Sequence, residues 1–163
     1  GGGLRELLAL GADASLLHGV ELLPYRCADA KRYLPWASIT QADGRCLPFE
    51  EGRFDLVLQF TMFTSILDAN VKQRIAKEML RVLRPDGVIV WYDFWLNPTN
   101  PQTRSIRLPE IRTLFPGCTV EARKITLAPP ITDRLIRVSR IICEILETVK
   151  IFNTHYIVLI RNK

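Results

Sequence analysis

A run of glycines and a carboxylate have the order and spacing of a site for a ligand that carries a ribose. Gly1, Gly2 and Gly3 lead directly into a helix-like segment, so the backbone could approach a ligand closely while the first helical amides point towards it. Glu21 ends the next strand-like segment, and a carboxylate about 20 residues after a glycine turn can accept hydrogen bonds from both ribose hydroxyls. The alternatives are that the glycines are a flexible end and that Glu21 caps the next helix.

A second carboxylate, Asp43, follows the next strand-like segment and precedes Gly44. At the carboxyl end of a strand, it could accept a hydrogen bond from an exocyclic amine such as that of adenine. An Asp-Gly pair is equally typical of a turn, so both interpretations are open. Leu47 and Phe49, in the loop that follows, could pack against a flat base.

A central strand–helix–strand unit must position such groups. Residues 54–60 form a nearly continuous apolar run, which predicts a strand buried on both faces. Apolar residues at spacings of three and four over 71–82 predict an amphipathic helix, which Pro85 and Gly87 should end. A second apolar run over 88–94 completes a parallel, right-handed crossover. Both strands then end at the same edge of the sheet, where open α/β sheets bind ligands.

Shorter patterns indicate the remaining elements, and no internal repeat or second domain is visible. We expect helices over residues 4–11, 24–34, 108–115 and 134–152, and strands over 16–22, 38–42, 119–127 and 155–160.

Composition is that of an ordinary globular domain of 163 residues, with 48% hydrophobic and 24% charged residues. The net charge of +5 is dispersed, which fits either an acidic or surface-bound partner or simply a solvated face, and we do not expect a nucleic-acid partner. No apolar run is long enough to span a membrane, and no secretory signal opens the sequence. The four cysteines lack metal-ligand spacing, so we expect a cytoplasmic protein with reduced thiols and no metal.

Five features follow one another along the chain: the glycine run before a helix, Glu21, Asp43, the segment FDLVLQF and the segment LRPDG. Their order and spacing resemble those of the class I S-adenosylmethionine-dependent methyltransferases of the small-molecule type. The most specific combination is LPFEEGRFDLV followed by EMLRVLRPDGVIV, and the likeness covers nearly the whole chain. It implies a single α/β domain over residues 1–163. This domain would have a Rossmann-like, doubly wound sheet that is mostly parallel, with an antiparallel last strand.

The resemblance also implies which residues bind S-adenosylmethionine. The glycines would lie beside its methionine part, Glu21 would bind the ribose hydroxyls, and Asp43 would bind the adenine. Gln59 and Phe60 would lie near the sulfonium, a cation that favours carbonyl oxygens and aromatic faces. The implied set is Gly1, Gly2, Gly3, Glu21, Leu22, Asp43, Gly44, Gln59 and Phe60.

In the family, a central strand precedes the glycine loop, whereas this sequence begins at the loop. That strand lies between the strands that end here at Glu21 and at Gln59. Without it we expect a hole in the middle of the sheet, and therefore a natural protein that extends upstream.

Methyl transfer is an in-line displacement that needs a general base only if the acceptor must lose a proton. By the resemblance, Tyr92 and Asp93 follow a strand at the ligand edge, and His155 begins an antiparallel strand there. The alternatives are that Asp93 caps a loop and that His155 is a structural hydrogen-bonding residue. His18 begins a parallel strand, so it should lie at the opposite edge and be structural.

The segment 128–155 should begin and end at the same edge, so it could form a helical lid over the acceptor. Arg134 and Arg137 could receive an anionic acceptor. Alternatively, the helix 134–152 packs on the sheet or rests on a membrane surface. We expect a small-molecule acceptor. The rival functions are a nicotinamide- or nucleotide-binding oxidoreductase and a non-catalytic binding module of the same fold.

Overall fold

The computed structural model describes residues 2–96, 102–128, 139, 144, 146, 148, 150 and 153–163. Its helices are α1 (Gly2–Ala9), α2 (Pro24–Tyr33), α3 (Ala69–Val82) and α4 (Leu108–Leu114). Its strands are β1 (His18–Glu21), β2 (Ser38–Gln41), β3 (Phe54–Phe60), β4 (Leu83–Phe94), β5 (Cys118–Leu127) and β6 (Asn153–Asn162). Most of the predicted lid, 128–155, and the predicted helix 134–152 lie outside the described residues.

The larger sheet has the strand order β3-β4-β6-β5. Strand β4 is parallel to β3 and antiparallel to β6, and β5 is antiparallel to β6 and therefore parallel to β4. The expected antiparallel last strand is thus confirmed. The carboxyl ends of β3, β4 and β5 and the amino end of β6 meet at one edge, which we call the rim.

The smaller sheet consists of β1 and β2, which pair in parallel with Gly19 opposite Ile39. Within the described part of the chain, no strand pairing joins it to the larger sheet. The division falls between the strands that end at Glu21 and at Gln59, where the sequence analysis expects a further strand. Strand order therefore agrees only in part with one doubly wound sheet.

Helix α1 and a cluster of rings connect the two sheets. A Cβ atom on Gly3 would lie 2.5 Å from Cε2 of Phe60 in β3, whereas Leu4 reaches the backbone of β1 at Gly19. At the other end of β1, the His18 ring packs edge-on against Phe54, with centroids 5.4 Å apart. His18 is thus a structural residue away from the rim, as expected.

Strand β4 is the centre of the main core. Its alternation places Ile89, Trp91 and Asp93, all 0% exposed, on the face that α3 and α4 cover. Phe60 lies on the other face, with α1, so helices flank both faces of the sheet. The Lys72 ammonium joins α3 to α4 through a 2.7 Å contact with Glu110, and the Lys72 side chain is only 2% exposed.

The joint occurrence of the segments LPFEEGRFDLV and EMLRVL in the sequence has a physical explanation, because their residues bind each other. Arg81 of α3 donates hydrogen bonds to the backbone carbonyls of Leu47 (3.0 Å) and Phe49 (2.8 Å). Glu78 pairs with Arg81 and accepts a hydrogen bond from the Leu47 amide at 2.7 Å. This pair lowers the pKa of Glu78. The helix therefore fixes the loop that leads into β3.

Two expectations about the central unit are wrong. The helix ends at Val82, before Pro85 as predicted, but β4 already begins at Leu83 and not at Val88. Pro85 disfavours helical geometry at the preceding residue, and Leu83 pairs with Phe54 instead. Strand β3 is also not buried on both faces, since Leu56 is 36% exposed. It has a hydrogen-bonded neighbour on one side only among the described strands.

Candidate functional site

Four aromatic side chains stand in a row along the rim of the larger sheet. The Phe60 and Tyr92 ring centroids are 5.8 Å apart, the Tyr92 and His155 rings stack at 4.7 Å and 7°, and the Phe94 and His155 centroids are 3.9 Å apart. We call Phe60, Tyr92, His155 and Phe94 the aromatic row. Because β4 is parallel to β3 and antiparallel to β6, the register alone brings these residues to one edge.

His155 lies in the interior of the aromatic row. It is 4% exposed, and burial lowers its pKa from 6.5 to about 4, because the charged imidazolium loses its hydration. Its Nδ1 is 3.1 Å from the Thr154 hydroxyl. At neutral pH the ring is uncharged, and this weak base favours the structural alternative for His155.

Tyr92 is half-buried, and its hydroxyl forms a 3.0 Å hydrogen bond with Thr126 Oγ1. The hydroxyl therefore connects β4 to β5. Its ring lies at the rim between Phe60 and His155.

Asp93 lies on the opposite face from the aromatic row and is fully buried. Its carboxylate accepts hydrogen bonds from the Thr64 hydroxyl (2.7 Å), the Thr64 amide (3.2 Å), the Phe94 amide (2.9 Å) and Gln59 Nε2 (3.2 Å). Burial raises the pKa of Asp93, although these donors oppose the shift. This geometry favours the predicted cap over the general base, because a carboxylate with no exposed surface does not meet an acceptor.

The side chain of Gln59 is also committed to the protein. It is 3% exposed, and its Oε1 accepts a hydrogen bond from the Met62 amide at 2.9 Å. Only its backbone is thus placed for the predicted role near the sulfonium. Thr61 and Thr64, which the sequence analysis missed, shape the turn after Phe60: Thr61 has a φ of 49°. A positive φ angle at a threonine cannot be recognised from a single sequence.

Glu21 and Leu22 lie at the carboxyl end of β1. The Glu21 side chain is 29% exposed and Leu22 is 57% exposed. Glu21 Oε1 accepts a 3.1 Å hydrogen bond from the Leu23 amide, and Oε2 lies 4.0 Å from Arg26. This is a local bond to the residue before α2, which has no side-chain cap, so the alternative of a helix cap is wrong, and part of the Glu21 carboxylate stays accessible.

Asp43 is held by Arg45, two residues further along the chain. Its carboxylate accepts hydrogen bonds from Arg45 Nη2 (2.6 Å), Arg45 Nε (2.9 Å) and the Arg45 amide (2.8 Å). These bonds lower the pKa of Asp43. The turn interpretation thus accounts for the contacts of Asp43. The adjacent Gly44 packs against Ile75 of α3.

Of the three glycines, Gly1 lies outside the described residues, Gly2 begins α1, and Gly3 contacts Phe60. A side chain at Gly3 would collide with the Phe60 ring, so glycine allows α1 to approach the end of β3 closely. The structure thereby brings the glycine run and the aromatic row together. Glu21 and Asp43 lie at the corresponding edge of the smaller sheet, where the Ala42 amide bonds to the Glu21 carbonyl.

A cavity of about 350 Å³ opens where β5 ends and β6 begins. Its described lining residues are Lys124, Ile125, Glu144, Thr148, Lys150 and Asn153. In the described part of the chain, no cluster of His, Cys, Asp and Glu could hold a metal ion, and no helix is long and apolar enough to cross a membrane.

Parallel strands with flanking helices, and polar and aromatic groups at the strand ends, define a Rossmann-like α/β protein. Residues 1–91 match the family model described as a methyltransferase domain. The chain belongs to this family, within the class I S-adenosylmethionine-dependent methyltransferases.

Individual relatives agree with this membership. An uncharacterized methyltransferase of Mycolicibacterium gilvum is 36% identical over 104 residues, which cover 60% of this chain and 39% of that protein. The chain spans 26% to 39% of the curated relatives that it matches.

Two solved structures show the same fold. A Pyrococcus horikoshii protein superimposes with a TM-score of 0.71 at 16% identity, covering 100% of this chain and 77% of that chain. A SAM-dependent methyltransferase of Archaeoglobus fulgidus gives 0.63 at 13% identity, covering 89% and 75%.

Proposed function

We propose that this chain forms part of an enzyme that binds S-adenosylmethionine and transfers its methyl group to a small-molecule acceptor. The observation that carries the proposal is the packing of Gly3 against Phe60, in a chain whose first 91 residues match the methyltransferase domain. This contact places the start of α1 at the carboxyl end of β3. First-turn amides and an aromatic ring then converge, which suits the carboxylate and the sulfonium of the cofactor.

The remaining cofactor contacts are proposed along the two strand edges. Glu21 would accept hydrogen bonds from the ribose hydroxyls, because part of its carboxylate is accessible. The loop at Asp43 and Gly44 would receive the adenine. There, Arg45 already occupies much of the carboxylate, so backbone groups of the loop would contribute. The bound cofactor supplies an electrophilic methyl group, and the chain's own residues orient it and exclude water.

The acceptor is proposed to lie beside the aromatic row. The open cavity at the ends of β5 and β6 includes residues of the segment 128–155. Both flanking strands meet the rim, so we expect this segment to contribute acceptor contacts. Acceptor specificity, rather than cofactor affinity, should then depend on it. Catalysis would rest mainly on alignment, since neither Asp93 nor His155 is an accessible base at neutral pH.

Calorimetry with S-adenosylhomocysteine on the natural full-length protein tests the proposal. The wild type should bind, and Glu21→Ala should weaken binding by about 2–4 kcal/mol, roughly 30- to 1,000-fold in Kd, because two charge-assisted hydrogen bonds are lost. Asp29→Ala is the matched control, since it removes an exposed carboxylate of α2 that pairs only loosely with Arg32. Equal affinities of Glu21→Ala and wild type would refute the ribose assignment.

The same titration separates the rival functions. Binding of a nicotinamide dinucleotide in preference to S-adenosylhomocysteine would indicate an oxidoreductase. Binding of neither ligand would indicate a non-catalytic module.

A further inference from the structure

We propose that Asp93 is a positioning residue whose buried carboxylate holds the turn 61–65 at the rim and so sets the backbone beneath the cofactor site. The inference rests on the proposed function and adds to it a residue that does not itself touch the ligand. Its basis is the convergence of separate stretches of chain on one carboxylate.

The four donors to Asp93 come from three places: the end of β3, the turn and the end of β4. Thr64 contributes both its hydroxyl and its amide, and it is 1% exposed. The two backbone amides can only donate, and Gln59 donates through Nε2 because its Oε1 accepts from the Met62 amide, so these groups match the acceptor oxygens of a carboxylate. An asparagine at this position would direct its own NH₂ group at some of these donors.

Gln59 extends the network into the first residues of the turn. Its Nε2 donates to Asp93 while its Oε1 accepts from the Met62 amide. The Thr61 amide donates to the Tyr92 carbonyl at 2.7 Å. Thr61 adopts a φ of 49°, which is rare for a β-branched residue and persists only where surrounding contacts enforce it. The turn is therefore tied down at Thr61, Met62 and Thr64.

The turn continues directly from Phe60, whose ring packs on Gly3 and near Tyr92. Asp93 points to the opposite face of the sheet. It can therefore act on the ligand only through the backbone of the turn. A displaced turn would shift Phe60 and its peptide groups relative to α1.

Affinity for S-adenosylhomocysteine in the natural full-length protein tests this role with three variants. Asp93→Asn and Thr64→Val should each raise Kd by about tenfold, which corresponds to ~1.4 kcal/mol. Thr64→Ser keeps the hydroxyl and should restore the wild-type Kd. Val82→Ala is the stability control, because it trims a side chain of α3 that is 1% exposed and belongs to the core.

Amide hydrogen exchange of residues 61–65 provides a second measurement that does not depend on the cofactor. Asp93→Asn and Thr64→Val should accelerate it by about tenfold, with α3 unchanged, if the carboxylate holds the turn. If Asp93→Asn does not fold, the two Thr64 variants still decide the question.

Two results would overturn the positioning role. The first is that Thr64→Val has the same amide exchange rates and the same affinity as Val82→Ala. The hydrogen bonds to Asp93 would then be merely structural. The other is loss of methyl transfer in Asp93→Asn at unchanged affinity, with Thr64→Val fully active, which would make Asp93 a catalytic residue. If the wild type binds no S-adenosylhomocysteine, the proposed function fails, whereas the exchange measurement still tests the turn.

Discussion

Acid should destabilise this protein through His155 before most carboxylates titrate. The ring is 4% exposed, stacks on Tyr92 and contacts Phe94, so the folded protein holds it uncharged. Its pKa is lowered from 6.5 to about 4 by burial. The unfolded chain therefore binds more protons between these values, and stability must fall as the pH falls through this window.

The magnitude follows from the shift. About pH 5 lies roughly 1.5 units below the pKa of the unfolded histidine, while the buried ring is still mostly uncharged, and each unit corresponds to ~1.4 kcal/mol. The free energy of unfolding should thus drop by about 2 kcal/mol between neutral pH and about pH 5. Burial raises the pKa of Asp93, so protonation of this carboxyl favours the folded state and opposes the loss of stability in acid. This contribution is the same in the wild type and in any His155 variant.

Urea unfolding at a series of pH values measures the effect. His155→Gln should lose most of the pH dependence in this window, whatever its absolute stability. His18→Gln is the matched control, since it makes the same replacement at the other histidine of the sequence. An equal loss of stability in His155→Gln and wild type from neutral pH to about pH 5 would contradict the argument.

Two further predictions concern contacts of α3, measured by urea unfolding at neutral pH. Arg81→Met should destabilise the fold by about 2 kcal/mol, because it removes donors to the backbone carbonyls of the 47–49 loop. Arg84→Met removes only an exposed ion pair and should cost less than about 1 kcal/mol. Similar effects of the two variants would argue against a stabilising role of the Arg81 hydrogen bonds. Glu110→Gln should cost about 3 kcal/mol, because it leaves the buried ammonium of Lys72 without its charged partner. Lys72→Met should stay within about 1 kcal/mol of wild type. A larger loss of stability in Lys72→Met than in Glu110→Gln would contradict this prediction.

Local patterns in the sequence were sufficient for most elements. The helices α2 and α4 and the strands β3, β5 and β6 lie within about two residues of their predicted bounds. Each is defined by apolar periodicity and by prolines or glycines at its ends, which act within a few residues of chain. The parallel crossover and the meeting of the strands at one rim also followed, because the connection between two strands restricts their relative direction.

Tertiary packing decided what the candidate residues do. The sequence placed Tyr92, Asp93 and His155 near one edge, but only the pleat of β4 directs Asp93 into the core and Tyr92 to the rim. Pairing of Leu83 with Phe54 begins β4 before Pro85, whereas the apolar run in the sequence begins at Val88.

One feature of the site is a local contact, whereas another depends on contacts that are distant in sequence. Arg45 reaches Asp43 through a local turn, yet the uncharged state of His155 depends on rings from β4, some sixty residues earlier. By itself the sequence determined which chemical groups lie at the strand ends. Their charge, exposure and direction were decided by the tertiary structure, because desolvation and hydrogen bonding depend on neighbours that only folding brings together.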